Sequence, residues 1–508
     1  MAVEIITAID IGSNAPRLMI AEKGKNNEPR VIESLRANLS LGTDTYNKQV
    51  ITEEKLSELC EILNRFKEKL KEYKVKAVRV VATSAVREAL NKDFIIARIK
   101  QRTGFDCEIL SNSEERYLHN LALTEGFPEF EKMSETGCIF VDMGAGSLQV
   151  SAYKNKRRKM SQNLKLGFLR MNEVFSEIQA RSSNYDQVMN DYITAKLSSL
   201  ELYGLQTEET TLLAAGNDLE YLNNFSEVVE FNDNFITDVE LNKLYEFLLH
   251  TSPIELTLHY NIPSDVADNM LPLVMILNKF LEPLQIKGIY LPKVLLSNGL
   301  LLEMATDTYG YKVGHDHIGD IVSAVNVMAV KYGGNLKHLE AKERNAVAIL
   351  RVLEQKFKFA PDFELLLKVA VRLSEVGKFI IPEDYQDASA SIILNNEIIG
   401  ISYRSLEIVA DAVMFSVGNE VPINDRLNYR SYAYRLQVLQ TAAILRVADA
   451  LEYSSKNKIN NVATRLKKSK LEIIVDTNED ITLERRMLGV RSRLLEEMFG
   501  INIDLKEN

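Results

Sequence analysis

Two stretches of the chain share one order of hydrophobic and polar residues: an apolar run, then Asp-x-Gly, then small residues. One run leads into Asp10–Asn14, here called the first turn, and the other into Asp142–Ser147, the second turn. Each predicts a buried strand entering a tight turn, because glycine lets backbone N–H groups face an anion without an intervening Cβ. The aspartate at each strand end can hold a hard cation such as Mg²⁺. We infer a pair of phosphate-binding turns; two ordinary β-turns are the alternative that spacing alone leaves open.

The pattern along residues 1–125 alternates strand and helix signals, as is typical of an α/β domain. Apolar runs predict strands at Ile5–Ile9, Arg17–Ala21, Val31–Ala37, Ala77–Ala82 and Cys107–Leu110. Apolar residues at helical spacing predict an amphipathic helix that buries Leu56, Leu59, Leu63, Phe66 and Leu70. Residues 126–305 repeat the layout, with strands predicted at Cys138–Asp142, Leu148–Tyr153 and Thr211–Ala214. We therefore predict two copies of an α/β domain, 1–125 and 126–305, with a cleft between them.

The remainder of the chain is mostly helical in pattern. Helices are predicted at Ile318–Tyr332, Ala341–Phe357, Phe363–Val376, Tyr403–Phe415 and Leu436–Leu451. Strand patterns return at Lys470–Val475 and Ile501–Leu505. We predict a helical domain over residues 306–465 and a small α/β tail over residues 466–508.

Composition narrows the class of protein. A chain of 508 residues is too long for one hydrophobic core. Its net charge of −10 argues against a general nucleic-acid-binding protein. Three widely spaced cysteines form neither a disulfide framework nor a zinc pattern. With no secretion signal and no long apolar run, these features lead us to expect a cytoplasmic protein without nucleic-acid or membrane partners.

The chain resembles the exopolyphosphatase/guanosine pentaphosphate phosphohydrolase (Ppx/GppA) family. The resemblance rests on the order and spacing of several blocks: Asp10–Asn14, Ala82–Ala89, Leu110–Glu115, Asp142–Ser147, Leu166–Arg170 and Leu445–Leu451. It implies two ribonuclease-H-like domains of the actin/Hsp70/sugar-kinase type around a cleft. A mostly α-helical, HD-like domain and the small α/β tail would follow them. It also implies Mg²⁺-dependent removal of terminal phosphate from inorganic polyphosphate or guanosine pentaphosphate (pppGpp), by a homodimer.

The resemblance assigns roles to particular residues. The general base of the family, the second residue of a Glu-Glu pair, corresponds to Glu115; the alternative is a carboxylate favoured only by the helix dipole. Asp10, Asp142 and Gln149 are the candidate Mg²⁺ ligands. Arg87 matches a family arginine, and phosphate contact and a solvated helix position are about equally supported. The candidate phosphate-binding residues are Gly12, Ser13, Asn14, Arg87, Gly144, Ala145, Gly146, Ser147 and Gly216.

Several positions depart from the family pattern. Gln149 stands where a glutamate is expected, so one negative charge is lost. Ala15 and Pro16 replace a hydroxyl and remove a backbone donor in the first turn. Asn217 and Ser297 stand in place of an expected threonine and arginine. In the helical domain no histidine follows His338, so we expect no HD-type metal site there.

Three functions remain open from the sequence. The first is a Mg²⁺-dependent phosphoanhydride hydrolase acting on polyphosphate, pppGpp or both, with Glu115 as base. The second is a catalytically weak sensor that binds polyphosphate or a guanosine alarmone, and Gln149 and Ser297 motivate it. The third is a sugar kinase of the same fold, against which the blocks Ala82–Ala89 and Ser111–Glu115 count.

Overall fold

A computed structural model describes residues 4–171, 185–198, 200, 210–232, 234–284, 286–417 and 425–507. The chain divides into two compact units, here called the N-terminal unit, which ends at Asp316, and the C-terminal unit, which begins at His317. The finer division into four domains stays a prediction. Among the helices in these ranges, none combines the length and apolar character needed to cross a bilayer.

The N-terminal unit contains two separate β-sheets. Its strands are β1 (Ile5–Ile11), β2 (Pro16–Lys23), β3 (Pro29–Arg36), β4 (Ala77–Ala82), β5 (Cys107–Ile109), β6 (Cys138–Met143), β7 (Leu148–Lys154), β8 (Arg157–Leu164), β9 (Thr211–Ala215), β10 (Phe235–Thr237) and β11 (Gly288–Tyr290). The first sheet has the order β3-β2-β1-β4-β5, and the second has the order β10-β11-β9-β6-β7-β8. The strands predicted from the sequence are confirmed, with ends shifted by a few residues.

Both sheets place the strand before the Asp-x-Gly turn in the same setting. Strand β1 is antiparallel to β2 and parallel to β4. Strand β6 is antiparallel to β7 and parallel to β9. Each turn therefore connects an inner strand to its antiparallel neighbour, and each parallel neighbour ends at the same edge.

Helices surround the two sheets. They are α1 (Gly42–Lys48), α2 (Glu53–Tyr73), α3 (Ser84–Glu88), α4 (Lys92–Thr103), α5 (Asn112–Gly126), α6 (Phe130–Thr136), α7 (Tyr185–Leu197), α8 (Asp238–Leu249), α9 (Pro253–Tyr260), α10 (Ser264–Ala267), α11 (Met270–Leu284) and α12 (Leu296–Tyr309). The apolar stripe predicted for α2 is confirmed, because all five of its residues are buried. Helix α12 packs closely on α5: a Cβ on Gly299 would overlap the backbone of Leu118.

The C-terminal unit is mostly helical. Its helices are α13 (His317–Lys331), α14 (Leu336–Leu353), α15 (Phe363–Leu373), α16 (Gln386–Asn395), α17 (Tyr403–Met414), α18 (Asp425–Asn428), α19 (Tyr432–Leu451), α20 (Thr482–Arg491) and α21 (Arg493–Phe499). Three strands, β12 (Asn461–Lys467), β13 (Lys470–Asp476) and β14 (Asn502–Glu507), form one sheet in that order. Strand β12 crosses position 466, where the sequence predicted the α/β tail to begin.

A buried lysine connects three segments of this unit. The ammonium of Lys342 on α14 lies 2.9 Å from Glu375 Oε1 and 2.6 Å from Asp449 Oδ1 on α19. It also donates to Ser374 Oγ at 3.2 Å. The Lys342 side chain is only 1% exposed. Although burial opposes it, the positive charge of Lys342 helps to hold the pKa of Glu375 well below its ordinary value. Lys378 beside Glu375 and Arg491 beside Asp449 add to this charge, so cations of the chain itself balance the two carboxylates.

We expect Lys342→Met to lower the free energy of unfolding by about 1.5–3 kcal/mol, because it removes a buried ammonium shared by two carboxylates, which keep only their contacts with Lys378 and Arg491. Urea unfolding of the full chain, followed by circular dichroism, measures this. Lys337→Met, on an exposed position of the same helix, is the control and should change stability by less than about 0.5 kcal/mol. Equal changes in the two variants would show that the ammonium does not stabilise the unit.

Candidate active site

The two Asp-x-Gly turns have the same local geometry. A Cβ added to Gly12 would lie 3.1 Å from the carbonyl oxygen of Ala15, and one added to Gly144 would lie 3.1 Å from that of Ser147. In both turns the tight contact is with the carbonyl three residues further along. The repeated pattern in the sequence therefore corresponds to a repeated backbone turn, as predicted.

Hydroxyl groups hold the first turn in place. Ser13 Oγ accepts a hydrogen bond from the backbone N–H of Ala85 at 3.1 Å. The same oxygen lies 2.8 Å from Ser84 Oγ and 3.1 Å from the hydroxyl of Tyr46. The side chain of Ser13 thus connects the turn to the start of α3, whereas the Asn14 amide has no hydrogen-bond partner among the described residues.

The second turn packs directly against Tyr46 of α1. A Cβ on Gly146 would overlap the Tyr46 hydroxyl. The Gly146 carbonyl accepts a hydrogen bond from Arg170 Nε at 3.0 Å, and the Arg170 guanidinium stacks 4.6 Å from the centre of the Tyr46 ring. Gly146 therefore allows the second turn to approach α1 closely, and its position faces Tyr46.

A third turn, after β9, completes this edge of the second sheet. Strand β9 pairs with β6 so that Ala215 lies opposite Asp142. A Cβ on Gly216 would lie 2.5 Å from the Met143 carbonyl oxygen, so a larger residue would push the two strand ends apart. Glycine at position 216 therefore allows both the turn after β9 and the close packing of β9 on β6.

Glu115 lies one residue beyond Glu114 at the beginning of α5 and takes no part in the helix cap. Ser111 Oγ accepts from the Glu114 backbone N–H at 3.2 Å, and the Glu114 carboxylate accepts from the Ser111 backbone at 2.9 Å. These two hydrogen bonds form a capping box at the start of α5. Glu115 Oε2 instead accepts a hydrogen bond from Arg87 Nη1 at 2.8 Å. The neighbouring glutamates therefore have different tasks, and only Glu115 lines the cleft.

The two turns, the β9 turn and α5 enclose one cleft. Most of the predicted site residues line it: Asp10, Gly12, Ser13, Asn14, Glu115, Asp142, Gly144, Ala145, Ser147, Gln149 and Gly216. Arg87 and Gly146 are not among the lining residues. Arg87 Nη1 also donates to the Leu110 carbonyl at 2.7 Å. Arg87 therefore acts on the cleft through its hydrogen bond with Glu115.

Negative charge accumulates in the cleft. Burial, reinforced by the negative charge of Glu115, raises the pKa of Asp10 to about 7. Burial also raises the pKa of Asp142 to about 6; the nearby His119 acts in the opposite direction, and Glu115 adds to the increase. The pKa of the buried Asp218 is likewise raised to about 6 by burial. A positive charge in this cleft would stabilise the ionised form of all three.

The residues of the cleft fit a bound cation. Asp10 Oδ1 and Gln149 Oε1 are buried and have no hydrogen-bond partner within the described ranges, although buried polar atoms are normally paired. Oxygen atoms of this kind are the ligands that Mg²⁺ prefers. Within the same ranges, Asp10, His119 and Asp142 do not bring three ligand atoms within 4.8 Å of one another, so these three side chains do not converge on one point.

Comparison with known proteins identifies the family that has this architecture. The model of the Ppx/GppA phosphatase family matches residues 19–308, and the model of Ppx/GppA phosphatase domain III matches residues 322–497. The chain belongs to the Ppx/GppA phosphatase family.

Two proteins illustrate the range of similar sequences. A guanosine-5'-triphosphate,3'-diphosphate pyrophosphatase of Photobacterium profundum is 21% identical over 454 residues, which cover 87% of this chain and 86% of that protein. Exopolyphosphatase 1 of Mycobacterium leprae is 25% identical over 207 residues, covering 41% of this chain and 60% of that protein.

Solved structures of the Ppx/GppA family share the fold. The crystal structure of an exopolyphosphatase from Cytophaga hutchinsonii has a TM-score of 0.52 and 22% identity, covering 61% of this chain and 100% of that one. The family member from Aquifex aeolicus has a TM-score of 0.50 and 21% identity, covering 60% of this chain and 99% of that one. The expected fold class is confirmed, whereas the HD-like character of the helical domain stays a prediction.

Sequence reasoning missed several residues that line the cleft of this family member. His119 follows Glu115 by four positions on α5, a spacing that places both on one helix face and was available from the sequence. Ser84 lies within the family block Ala82–Ala89, but the sequence pattern assigns it no role of its own. Asp218 follows the β9 turn without any local motif. Tyr46, which packs against the second turn, likewise lies outside any local motif.

We expect Asp10→Asn to stabilise the protein when divalent cations are removed. The pKa of Asp10 is raised from 3.8 to about 7 in the folded state, so the ionised carboxylate destabilises the native state. This destabilisation is absent below about pH 4, grows as the pH rises, and levels off above about pH 7. The gain in free energy of unfolding should follow the same course and reach about 2–4 kcal/mol at pH 8.

Melting temperatures measured from pH 4 to pH 8 with a chelator present test this expectation. Asp93→Asn, which changes an exposed aspartate on α4, is the matched control and should show no comparable trend. A gain for Asp10→Asn that is the same at every pH would mean that the carboxylate is not destabilised by its burial.

Proposed function

We propose that this protein is a Mg²⁺-dependent phosphoanhydride hydrolase that releases terminal phosphate from inorganic polyphosphate, pppGpp or both. The observation that carries the proposal is the position of Glu115. Its carboxylate lines the cleft formed by two Asp-x-Gly turns, takes no part in the helix cap, and is oriented by Arg87 at 2.8 Å. Phosphoanhydride hydrolysis requires such a group to position and deprotonate the attacking water.

The turns supply groups that can bind phosphate. Asn14 is buried, and neither atom of its side-chain amide has a hydrogen-bond partner in the described part of the chain. Its Nδ2 can therefore donate to a phosphate oxygen. Gly144 and Ser147 keep the second turn compact through a backbone hydrogen bond of 2.9 Å, so that Ala145 and Gly146 form its tip.

Asp10, Asp142 and Gln149 are the residues that would hold Mg²⁺. When bound, the ion supplies positive charge against the phosphate oxygens. Arg87 acts on Glu115: it donates to both Glu115 Oε2 and the Leu110 carbonyl, which fixes the direction of the carboxylate. A direct contact of Arg87 with phosphate remains a prediction.

Similar proteins support both substrates. One is named a guanosine-5'-triphosphate,3'-diphosphate pyrophosphatase, and another an exopolyphosphatase. We propose for this chain the chemistry that the two names share, namely hydrolysis of a phosphoanhydride. The homodimer and the cytoplasmic location that the family resemblance implies stay predictions.

A catalytically weak sensor of polyphosphate or an alarmone is the second candidate function. The observation that favours it is Gln149, which is 4% exposed and lies opposite Asp142 in the β6–β7 ladder. An amide at this position offers an oxygen but no negative charge to a cation. A weaker hold on Mg²⁺ would leave binding of the polyanion intact while slowing turnover.

We expect Glu115→Gln to reduce phosphate release by about 10²–10⁴-fold while substrate affinity changes little, because a neutral amide cannot accept the proton from water. Phosphate release from long-chain polyphosphate and from pppGpp, with and without Mg²⁺, measures the rate; equilibrium binding measures the affinity. Glu114→Gln is the matched control, since glutamine also serves in a capping box. Equal losses of rate and affinity in Glu115→Gln would indicate a structural role.

The variant Gln149→Glu separates the hydrolase from the sensor. An added carboxylate beside Asp142 should strengthen Mg²⁺ binding, and we expect the Mg²⁺ concentration for half-maximal phosphate release to fall by about tenfold. Titration of phosphate release with Mg²⁺ tests this. An unchanged titration would mean that position 149 does not face the ion, and binding without release in both proteins would favour the sensor.

A further inference from the structure

Both carbonyl groups at the tip of the second turn are bound by one neighbouring segment of the chain. The Ala145 carbonyl accepts a hydrogen bond from the backbone N–H of Leu169 at 3.0 Å, and the Gly146 carbonyl accepts one from Arg170 Nε at 3.0 Å. Ala145 and Ser147 line the cleft, whereas Leu169 and Arg170 are not among its lining residues. Leu169 and Arg170 therefore hold the turn from the side away from the cleft.

These contacts decide where the backbone donors of the turn point. A peptide unit is planar and trans, so its N–H points opposite to its carbonyl. With the carbonyls of Ala145 and Gly146 held outward, the N–H groups of Gly146 and Ser147 are directed toward the cleft. Among the described residues, neither N–H donates to a backbone carbonyl. Two adjacent donors of this kind suit the oxygen atoms of a phosphate.

The first turn shows the same backbone contact at the equivalent position. Ser13 follows Gly12 as Ala145 follows Gly144, and the Ser13 carbonyl accepts from the Gly42 N–H at 2.8 Å. In the second turn the matching contact comes from the Leu169 N–H. The second turn therefore has this backbone support and, in addition, the hydrogen bond from the guanidinium of Arg170 to the next carbonyl.

The guanidinium of Arg170 is itself held by two neighbours. Its Nη2 donates to Glu88 Oε2 of α3 at 2.7 Å, and its carbon atom lies 4.6 Å from the centre of the Tyr46 ring. The Tyr46 hydroxyl in turn lies 3.1 Å from Ser13 Oγ of the first turn. A planar guanidinium can donate in two fixed directions while it stacks on a ring, so Arg170 has one defined orientation behind the second turn.

We propose that Arg170 is a positioning residue for phosphate binding: it holds the Gly146 carbonyl away from the cleft, so that the Ser147 N–H faces the phosphate chain of the substrate. The inference rests on the proposed function, since it concerns the substrate of that same cleft. Arg170 does not touch the phosphate in this assignment. Its positive charge is paired with Glu88, and it acts through the peptide unit between Gly146 and Ser147.

Loss of the guanidinium would leave this peptide unit without its outer partner. Gly146 allows the unit to rotate, because glycine places few limits on the backbone dihedral angles. The Ser147 N–H would then lose its fixed direction, and the cleft would lose an aligned donor to a phosphate oxygen. The loss of one hydrogen bond to a charged group typically lowers affinity by about tenfold or more.

Equilibrium binding of long-chain polyphosphate to the full chain tests this role, measured with Mg²⁺ in the Glu115→Gln background so that hydrolysis is slow. We expect Arg170→Met to weaken binding by about tenfold and to keep the circular dichroism of the folded protein. Arg170→Lys should lie between the two, because an ammonium can donate to the Gly146 carbonyl but lacks the planar fork that fixes its direction. A purely structural role would not give this order of affinities among folded proteins.

Arg98→Met is the matched control. The side chains of Arg98 and Arg170 are both 20% exposed, and Arg98 also pairs with a glutamate, Glu53, at 2.6 Å and lies 5.1 Å from the centre of the Phe94 ring. It is not among the residues that line the cleft, so its loss should leave polyphosphate binding unchanged. Unchanged affinity in a folded Arg170→Met, or an equal loss in Arg98→Met, would overturn the proposal.

The variant Glu88→Gln keeps the proposal testable if Arg170→Met fails to fold. It weakens the hold on Arg170 without removing the guanidinium, and we expect affinity to fall by about two- to threefold. Removal of a negative charge would by itself favour a polyanion, so a fall in affinity reports lost positioning, and a rise would contradict the role of Arg170.

The outcome is distinguishable from that of the proposed hydrolysis. Weaker polyphosphate binding by Arg170→Met, without phosphate release by the unmodified protein, would support the positioning role and contradict the hydrolase. Phosphate release that needs Mg²⁺ and Glu115, but whose kcat and KM are the same in Arg170→Met, would support the hydrolase and overturn the role of Arg170.

Discussion

Negative charge confined to a buried cleft is the constraint on which the site depends. Asp10 and Asp142 lie at the ends of two strands, and Glu115 faces them from α5. Burial, and to a smaller extent the negative charge of Glu115, raise the pKa values of both aspartates toward neutrality. A phosphate chain would add more negative charge, so the cleft needs positive charge at the same place. Arg87 provides one such charge, but it is already paired with Glu115. Arg17, opposite Asp10 in the β1–β2 ladder, offsets the rise in the pKa of Asp10 only in part, so the proposed cation would supply the charge that the two aspartates still need.

The backbone makes this concentration of carboxylates possible. Gly12 and Gly144 let each turn fold back on its own carbonyl, and Gly146 and Gly216 let the surrounding chain approach within distances that a Cβ would prevent. The aspartates are therefore held by rigid strand ends and not by mobile loops. Such positioning before a ligand arrives reduces the reorganisation that binding or catalysis would otherwise require.

The sequence predicts the local parts of this arrangement but not the contacts that the tertiary fold creates. The two turns were visible because a local pattern encodes each of them, and the strands before them are long apolar runs. The capping box at Ser111 and Glu114 also follows from local spacing. Contacts that depend on the tertiary fold were not visible: Tyr46 against Gly146, Arg87 on Glu115, and Lys342 between Glu375 and Asp449. Strand β12 was missed because its alternating residues are mostly exposed, and its pairing with β13 decides its structure.

The two units differ in how the negative charge of their buried acids is balanced. In the C-terminal unit, Glu375 and Asp449 share Lys342, which lies within 3 Å of both, and each has a second cation of the chain beside it, Lys378 and Arg491 respectively. In the N-terminal unit, Asp10 lies opposite Arg17 in the β1–β2 ladder and Asp142 lies 3.4 Å from Nδ1 of His119, yet the pKa values of both aspartates stay raised. Oxygen atoms of Asp10 and Gln149 have no hydrogen-bond partner among the described residues. Acids paired with a built-in ammonium stabilise a fold, because their charge is already satisfied. Acids whose charge is satisfied only in part destabilise the free protein, and an exchangeable cation or a cation–phosphate pair that bound them would release that free energy.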